Sequence, residues 1–295
     1  MIKNISIIGL GLMGGSLAAA CRKKFPKAYI TGISRDTQAL RFAKKKGWIH
    51  ESYSKFGKGD RLFFRNTRPN PARFSNLVIL CTPVETFPKY LTLLDKFFRP
   101  GTLVTDVGSV KGEILNWCAK RRFKNIQFVG AHPVAGSHLR GIKAARPDLY
   151  EQGFTFVVKA EKGDRLGNPS VPFFQVKKFW EKICPRVIET SADEHDKIVS
   201  AVSHLPHAAA VALILSISAK YLKYAGAGFF DTTRIAAGHP SIWLPIFLAN
   251  RKNMIKDLKI FERTLTYFRS FLEKGQKRSL LKMLEGASTR RHKLS

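Results

Sequence analysis

Short apolar runs separated by turn residues and helix-forming segments dominate the first half of the chain. Residues 4–8 contain three β-branched isoleucines and are followed by a glycine, and residues 76–81 are apolar almost throughout. Such runs are typical of strands in a parallel sheet that is covered on both faces. Similar runs at 29–33, 103–106, 126–129 and 154–158 predict further strands. The first half is therefore predicted to be an α/β domain with a Rossmann-like, doubly wound, mostly parallel sheet.

The second half changes to helical periodicity. Residues 163–172 carry two glycines and two prolines, which predicts a boundary between a domain of residues 1–168 and one of residues 169–295. The first domain extends to about residue 190 if the following helix and strand belong to it. Ser191 and Glu194 have capping-box spacing, and they open a predicted helix over residues 192–222. This helix is apolar on most sides, so we expect it to be buried in a helical domain or in a dimer interface.

A glycine-rich turn joins the first predicted strand to the first predicted helix. Its sequence is Gly9-Leu10-Gly11-Leu12-Met13-Gly14, a G-x-G-x-x-G pattern. The first glycine permits the tight turn, the second lets a pyrophosphate approach the backbone, and the third allows close packing of helix and strand. Since the phosphates then rest on the helix N-terminus, a dinucleotide site is predicted. Its expected members are Gly9, Gly11, Leu12, Met13 and Gly14.

The end of the second strand decides between NAD and NADP. An NAD site places an acidic residue there for the ribose 2′-hydroxyl, but this chain has Ser34 followed by Arg35. A hydroxyl and a guanidinium suit a 2′-phosphate. Asp36 is the competing candidate, although it is also placed to cap the next helix. NADP is therefore the preferred cofactor, with NAD as the alternative.

Other polar residues directly follow predicted strands. Thr82 and Pro83 follow one strand, Ser109 follows the next, and His132 follows the strand at 126–129. Because the carboxyl ends of strands form the ligand crevice of an open α/β sheet, these residues are expected to converge there with Gly9. Two simpler interpretations remain: Ser109 as a helix N-cap and His132 as a turn histidine.

The predicted long helix contains Ser203-His204-Leu205-Pro206-His207. Two imidazoles three residues apart share a helix face, and Pro206 should kink the helix. A third metal ligand at helical spacing is missing, so no metal is expected. The histidines are either core residues satisfied by Ser200 and Ser203 or members of a pocket.

Arg234 follows a glycine-containing break at residues 226–228. It either pairs with Asp231 or holds a substrate carboxylate. Trp243 lies in the next predicted helix.

The composition limits the class of protein. Lysine and arginine number 51 against 21 acidic residues, which gives a net charge of +30. The basic residues are spread along the chain without a nucleic-acid motif, so a solvated basic surface is favoured over a polyanion site. The four cysteines lack the spacing of a metal or disulfide framework, no apolar run reaches membrane-spanning length, and the N-terminus leads directly into a strand. These features predict a cytoplasmic protein.

Five motifs together resemble the prephenate/arogenate dehydrogenases of tyrosine biosynthesis. They cover nearly the full length and start at residues 9, 106, 130, 203 and 231. In sequence they read Gly-Leu-Gly-Leu-Met-Gly-Gly-Ser, Asp-Val-Gly-Ser-Val-Lys, Gly-Ala-His-Pro-Val-Ala-Gly-Ser, Ser-His-Leu-Pro-His and Asp-Thr-Thr-Arg-Ile. The resemblance implies a Rossmann domain, an all-helical C-terminal dimerisation domain, and oxidative decarboxylation of prephenate or arogenate.

The resemblance also implies roles for residues. His132 matches the histidine that accepts the proton of the ring hydroxyl, and Ser109 matches the serine that bonds that hydroxyl and the nicotinamide side. Arg234 matches the arginine that holds the ring carboxylate. Other residues are expected to line the substrate or cofactor pocket: Ser203, His204, His207, Trp243 and His138.

The chain departs from many members of the family at two positions. Ser34 stands where many carry an acidic residue, as in NADP-using members. His138 stands where many carry Glu, which puts the substrate preference in doubt. Prephenate and arogenate differ only in the side chain, and both remain possible substrates.

Two other functions share features with this sequence. A β-hydroxyacid dehydrogenase has a similar glycine motif, but it needs a catalytic lysine, and Lys197 and Lys220 lack the accompanying asparagine pattern. A basic nucleic-acid-binding protein would show salt-dependent affinity and no turnover.

Overall fold

A six-stranded parallel sheet forms the first half of the protein. The computed structural model describes residues 2–54, 75–135, 139–159 and 170–294. The strands lie in the order β3-β2-β1-β4-β5-β6, and every neighbouring pair is parallel. This confirms the predicted Rossmann-like sheet. The strands are β1 Asn4–Ile8, β2 Tyr29–Ile33, β3 Glu51–Tyr53, β4 Leu77–Leu80, β5 Thr102–Asp106 and β6 Ile126–Phe128.

Helices cover both faces of this sheet. Alternate residues of β4 belong to two separate apolar clusters, with Leu77 and Ile79 in one and Val78 and Leu80 in the other. This double burial explains why the strands are apolar throughout. The helices are α1 Leu12–Lys24, α2 Thr37–Lys45, α3 Phe87–Phe97 and α4 Gly112–Ala119.

His132 lies in a strand of a second, three-stranded sheet, and not in the loop that the sequence predicted. Strand β7 (Ala131–Val134) is antiparallel to β8 (Phe154–Val158), and β8 is parallel to β9 (Val187–Thr190). His132 pairs with Phe156 across this sheet. Pro133 has no N–H to donate, but β7 is an edge strand, where proline is tolerated.

The predicted helix over residues 192–222 is divided. After α5 (Ser170–Ile183), α6 (Ala192–Val199) begins at Ser191, whose hydroxyl accepts from the Glu194 N–H at 3.2 Å. A π-helical turn, Ser200–His204, then leads to α7 (Leu205–Ser216). Because Pro206 cannot donate to a carbonyl one turn back, the wider turn takes the place of a simple kink. Ile217 is extended and ends α7, so the predicted end at residue 222 is wrong.

The remaining described elements are helical. Most of the predicted domain boundary at 163–172 lies outside the described residues, as do residues 55–74, whose polar, basic and proline-containing sequence predicts a surface loop or short hairpin. The last helices are α8 Ala219–Leu222, α9 Ala227–Thr233, α10 Pro240–Ala249, α11 Arg251–Glu273 and α12 Lys277–His292.

The apolar surface of α7 and its neighbours is largely uncovered in the single chain. Val202, Leu215 and Tyr224 are 71%, 78% and 75% exposed. The sequence predicted that this helix is buried either in a helical domain or in a dimer interface. Since these side chains are exposed in the single chain, the dimer interface is the alternative that remains.

By length and composition the stretch Ala192–Ser216 could cross a membrane. However, its first half carries the buried polar side chains His195, Asp196, Ser200 and His204. All four bond to other elements, which ties this stretch to the rest of the protein.

Candidate active site

The glycine-rich turn lies at the carboxyl end of β1. Gly9 has a positive φ of 95°, and a Cβ there would lie 2.6 Å from the Cys81 carbonyl oxygen. A Cβ on Gly14 would lie 1.8 Å from the Gly9 oxygen, whereas the space around Gly11 is open. The turn thus has the tight bend and close packing that the motif predicts. Leu12 and Met13 form the first turn of α1 beside it.

Ser34, Arg35 and Asp36 lie together at the end of β2. The Asp36 carboxylate caps α2, accepting from the N–H groups of Gln38 at 2.9 Å and Ala39 at 3.0 Å. The Ser34 hydroxyl accepts from the Asp36 N–H at 3.2 Å, and Arg35 is exposed. The predicted cap is therefore confirmed, and the Asp36 carboxylate is committed to the helix.

Thr82 and Pro83 follow β4 next to the glycine turn. The Thr82 methyl group lies 2.9 Å from the position of a Cβ on Gly9, and its hydroxyl bonds the Thr86 hydroxyl at 2.7 Å. The expected convergence of these two strand ends is therefore present.

Three side chains form a hydrogen-bonded chain that leads inward from His132. The Nδ1 atom of His132 lies 2.9 Å from Nε2 of His195, and Nδ1 of His195 lies 2.7 Å from Oδ1 of Asp196. His195 is fully buried, whereas His132 is partly exposed. Asp196 in turn accepts from the backbone N–H groups of Lys111 at 2.9 Å and Gly112 at 2.8 Å. These bonds anchor His132, through His195 and Asp196, to the backbone at the start of α4.

A buried, ion-paired carboxylate joins β5 to the strand that carries His132. The Lys111 ammonium bonds the Asp106 carboxylate, and both side chains are fully buried. The carboxylate also accepts from Gly108 N–H at 2.8 Å and from Ala131 N–H at 2.9 Å. Asp106 therefore fixes the residue that immediately precedes His132.

The site favours neutral histidines. Burial lowers the pKa of His132 well below its usual value of 6.5, and the positive charges that His195, Lys111 and His204 can carry lower it further. Burial also lowers the pKa of His195, and it lowers the pKa of His204 to about 4. For Asp196, burial opposes ionisation, but the hydrogen bond from His195 and those from two backbone amides outweigh it and lower its pKa. His132 is therefore an uncharged imidazole at neutral pH.

A second cluster lies between the π-helical turn and α10. The Asn250 amide nitrogen donates to the Asp196 carbonyl at 2.7 Å and lies 3.2 Å from Nδ1 of His204. The His207 ring stacks on Trp243 with centroids 3.6 Å apart and an interplanar angle of 14°. Within the described part of the chain, the buried Nδ1 of His207 has no hydrogen-bond partner.

Serine side chains do not satisfy these histidines. Ser200 bonds Asp257 at 2.5 Å, and Ser203 is exposed. The interpretation in which Ser200 and Ser203 satisfy His204 and His207 is therefore wrong.

The structure does not support the simpler interpretations of Ser109 as a helix N-cap and of Arg234 as the partner of Asp231. Ser109 lies three residues before α4 and does not cap it, because the Asp196 carboxylate takes the N–H groups at that helix end. Arg234 is exposed in a short 3₁₀ turn, and no ion pair joins it to Asp231. His138 lies outside the described residues.

The lysines weighed for the alternative dehydrogenase chemistry lie on the surface. Lys197 forms an ion pair with Asp193 at 2.6 Å and is 51% exposed, and Lys220 is also exposed. Among the ranges described, no group of three or more histidine, cysteine, aspartate or glutamate side chains is arranged to hold a metal.

Several residues of the site were not predicted from the sequence. They are His195, Asp196 and Asn250, together with the bonding roles of Asp106 and Lys111. Asp106 and Lys111 are the first and last residues of one of the five motifs. The signal that could have drawn attention to His195 is the adjacent pair His195-Asp196, which closely follows the predicted helix cap at Ser191.

Comparisons with known proteins identify the family of this chain. The family model for the prephenate dehydrogenase nucleotide-binding domain matches residues 17–189, and that for the prephenate dehydrogenase dimerization domain matches residues 191–286. The chain is 30% identical to prephenate dehydrogenase of Bacillus subtilis, over 97% of this chain and 75% of the relative. It is 26% identical to cyclohexadienyl dehydrogenase of Zymomonas mobilis, over 92% and 88%.

Solved structures give the same result. The prephenate dehydrogenase of Aquifex aeolicus in complex with hydroxyphenyl propionate and NAD+ is 29% identical, with a TM-score of 0.86 over 100% of this chain and 99% of that one. Synechocystis arogenate dehydrogenase is 25% identical, with a TM-score of 0.78 over 99% and 100%. With two family models that together match most of its length, the chain belongs to the prephenate dehydrogenase family.

Proposed function

We propose that this protein catalyses the oxidative decarboxylation of prephenate, to 4-hydroxyphenylpyruvate, or of arogenate, to tyrosine. The observation that carries the proposal is a neutral, hydrogen-bonded His132 in a chain that has the glycine turn and domain pair of this family. A bound nicotinamide cofactor supplies the acceptor for the hydride that leaves C4 of the substrate ring. Loss of the ring carboxylate as CO₂ makes the ring aromatic and drives the reaction.

The protein's own task is to orient the ring, to remove the 4-hydroxyl proton as the hydride leaves, and to return that proton to the same oxygen once the ring is aromatic. His132 takes the proton of the 4-hydroxyl group, a role for which a neutral imidazole is suited. Ser109, partly exposed at the end of β5, bonds the same hydroxyl. Arg234 is exposed and lacks an ion pair with Asp231, so its guanidinium is available to hold the ring carboxylate in a bidentate fork.

The second histidine cluster contributes to the pocket. The unpartnered Nδ1 of His207 is a polar atom that a bound ligand would satisfy, and the Trp243 ring holds His207 in place. His204 is fixed by Asn250 on the same side. Ser203 and His138 complete the set that we assign to the substrate.

The glycine turn fits a dinucleotide. The space around Gly11 is open and the N-terminus of α1 follows directly, so that Gly9, Gly11, Leu12, Met13 and Gly14 would hold the pyrophosphate. Thr82, Pro83 and Ser109 would line the same crevice. We assign NADP as the preferred form, because the Asp36 carboxylate is already used as a helix cap while Ser34 and Arg35 remain available to a 2′-phosphate. NAD, which the similar Aquifex structure contains, is the alternative.

The helical half would form a homodimer. The matching family model is described as a dimerization domain, and a second copy would cover the exposed apolar residues of α7 and its neighbours. We further assign the enzyme to the cytoplasm, without a specific nucleic-acid or membrane partner.

The decisive experiment is an assay of both substrates with both cofactors. We expect NAD(P)H formation in at least one of the four combinations, with the highest rate in the presence of NADP. The His132→Asn variant, purified in the same way, is the control for contaminating dehydrogenases. Absence of turnover in all four combinations by a folded, dimeric preparation would refute the proposal.

A further inference from the structure

The anchored carboxylate of Asp196 determines which nitrogen of His195 carries a proton. A carboxylate only accepts hydrogen bonds, and Asp196 is held as a carboxylate by the N–H groups of Lys111 and Gly112. Backbone N–H groups cannot reverse their direction. A Cβ on Gly112 would lie 2.8 Å from Oδ2 of Asp196, so the approach is close as well as fixed. His195 must therefore donate to Asp196 from Nδ1.

The tautomer of His195 in turn determines the tautomer of His132. In the neutral imidazole one nitrogen donates and the other accepts, so Nε2 of His195 carries a lone pair. This atom lies 2.9 Å from Nδ1 of His132, which must then donate to it. The lone pair of His132 is left on Nε2, since Nδ1 is the ring nitrogen that bonds His195 among the described residues.

Packing keeps the two rings in this arrangement. The Phe156 ring meets that of His195 at 89° with centroids 5.1 Å apart, and it lies 6.4 Å from the His132 ring. Asn250 additionally bonds the backbone carbonyl of Asp196. Rotation of either imidazole would break this chain of hydrogen bonds.

We propose that His195 is a positioning residue that, with Asp196, holds His132 in the Nδ1–H tautomer and so directs the Nε2 lone pair to the substrate. This inference rests on the proposed function, in which His132 is the proton acceptor. In the step itself the O–H bond of the substrate breaks and an N–H bond forms at Nε2 of His132, and the same proton returns to the phenolate oxygen after CO₂ has left. The protons between His132, His195 and Asp196 stay where they are, and the new positive charge is stabilised through the chain that ends at Asp196.

A pair of substitutions separates positioning from packing. In His195→Asn the amide nitrogen replaces Nδ1, so the bond to Asp196 is kept and the bond to His132 is lost. In His195→Gln the amide oxygen reaches the position of Nε2 and accepts from His132. We expect His195→Asn to lower kcat about 10- to 100-fold with little change in the KM of the substrate, and His195→Gln to restore most of the loss.

The control is His50→Asn, since His50 is partly buried at the other edge of the sheet and accepts from the Ile30 N–H at 2.9 Å. It should leave kcat unchanged. If both His195 variants lose kcat equally, or neither does, the positioning role is wrong.

The tautomer is also measured directly. Proton–nitrogen correlation spectra of the protein with ¹⁵N-labelled histidine, with His132 assigned from His132→Asn, should show the Nδ1–H form in the native protein and its loss in His195→Asn. A native His132 in the Nε2–H form would overturn the inference. Because this measurement needs no turnover, that result would leave the proposed reaction standing. Conversely, an inactive protein with the Nδ1–H tautomer would refute the reaction alone.

Discussion

Lys111 and Asp106 form a fully buried ion pair at the point where the large sheet meets the strand of His132. Removing one partner of such a pair leaves an uncompensated charge in the interior, at a cost of about 3–5 kcal/mol. Lys111→Met should therefore lower the free energy of unfolding by about that amount, measured by urea denaturation at a fixed protein concentration.

The matched control for this prediction is Lys197→Met. Lys197 pairs with Asp193 on the surface, where such pairs contribute about 0–1 kcal/mol. If Lys111→Met and Lys197→Met have the same small effect, the buried pair does not hold this part of the fold.

The pH dependence of turnover follows from the lowered pKa of His132. A base is active when unprotonated, so a pKa well below 6.5 means that activity is retained as the pH falls through the neutral range and is lost only below it. We expect kcat/KM to change little between pH 8 and pH 6.5. The profile should be recorded in buffers of constant ionic strength, because a chain of charge +30 attracts an anionic substrate in a salt-dependent way. An acidic limb centred at or above pH 6.5 would contradict a base whose pKa lies well below that value.

Cofactor choice is tested at the end of β2. Arg35→Ala should raise the KM for NADP about tenfold and leave that for NAD nearly unchanged, because only the 2′-phosphate needs the guanidinium. Ser34→Asp should reverse the preference by repelling that phosphate and bonding the ribose 2′-hydroxyl. Arg41→Ala is a suitable control, since Arg41 lies one turn further along α2 and bonds the backbone of Thr37. Equal effects of Arg35→Ala on both cofactors would show that Arg35 does not read the 2′-phosphate.

The sequence predicted those features that depend on neighbouring residues. The strands of the large sheet, the Gly9 turn and the Asp36 cap all follow from local patterns, and the structure has each of them. His132 was expected in a loop because its strand is formed by pairing with residues 20 to 26 positions further on, which no local pattern reveals. The bond between His132 and His195 joins residues 63 positions apart. Such contacts depend on how the two halves pack.

The prediction of an uninterrupted helix over residues 192–222 failed for a different reason. Apolar residues continue through Ile217, so the periodicity gave no sign of the break there. Pro206 signalled a disturbance, but its form, a π-helical turn that carries His204, depends on the contacts of Ser200 and His204 with α11 and Asn250.

The central claim is that His132 accepts the substrate proton, and His132→Asn tests it most directly. The measurement compares kcat with the dissociation constants of substrate and cofactor, the latter obtained by titration of the folded variant. A proton acceptor contributes about 10²–10⁴-fold to the rate, so we predict a fall of that size in kcat while both dissociation constants stay within about threefold of the native values. A variant that keeps native kcat, or that loses activity only through weaker binding, would contradict the account.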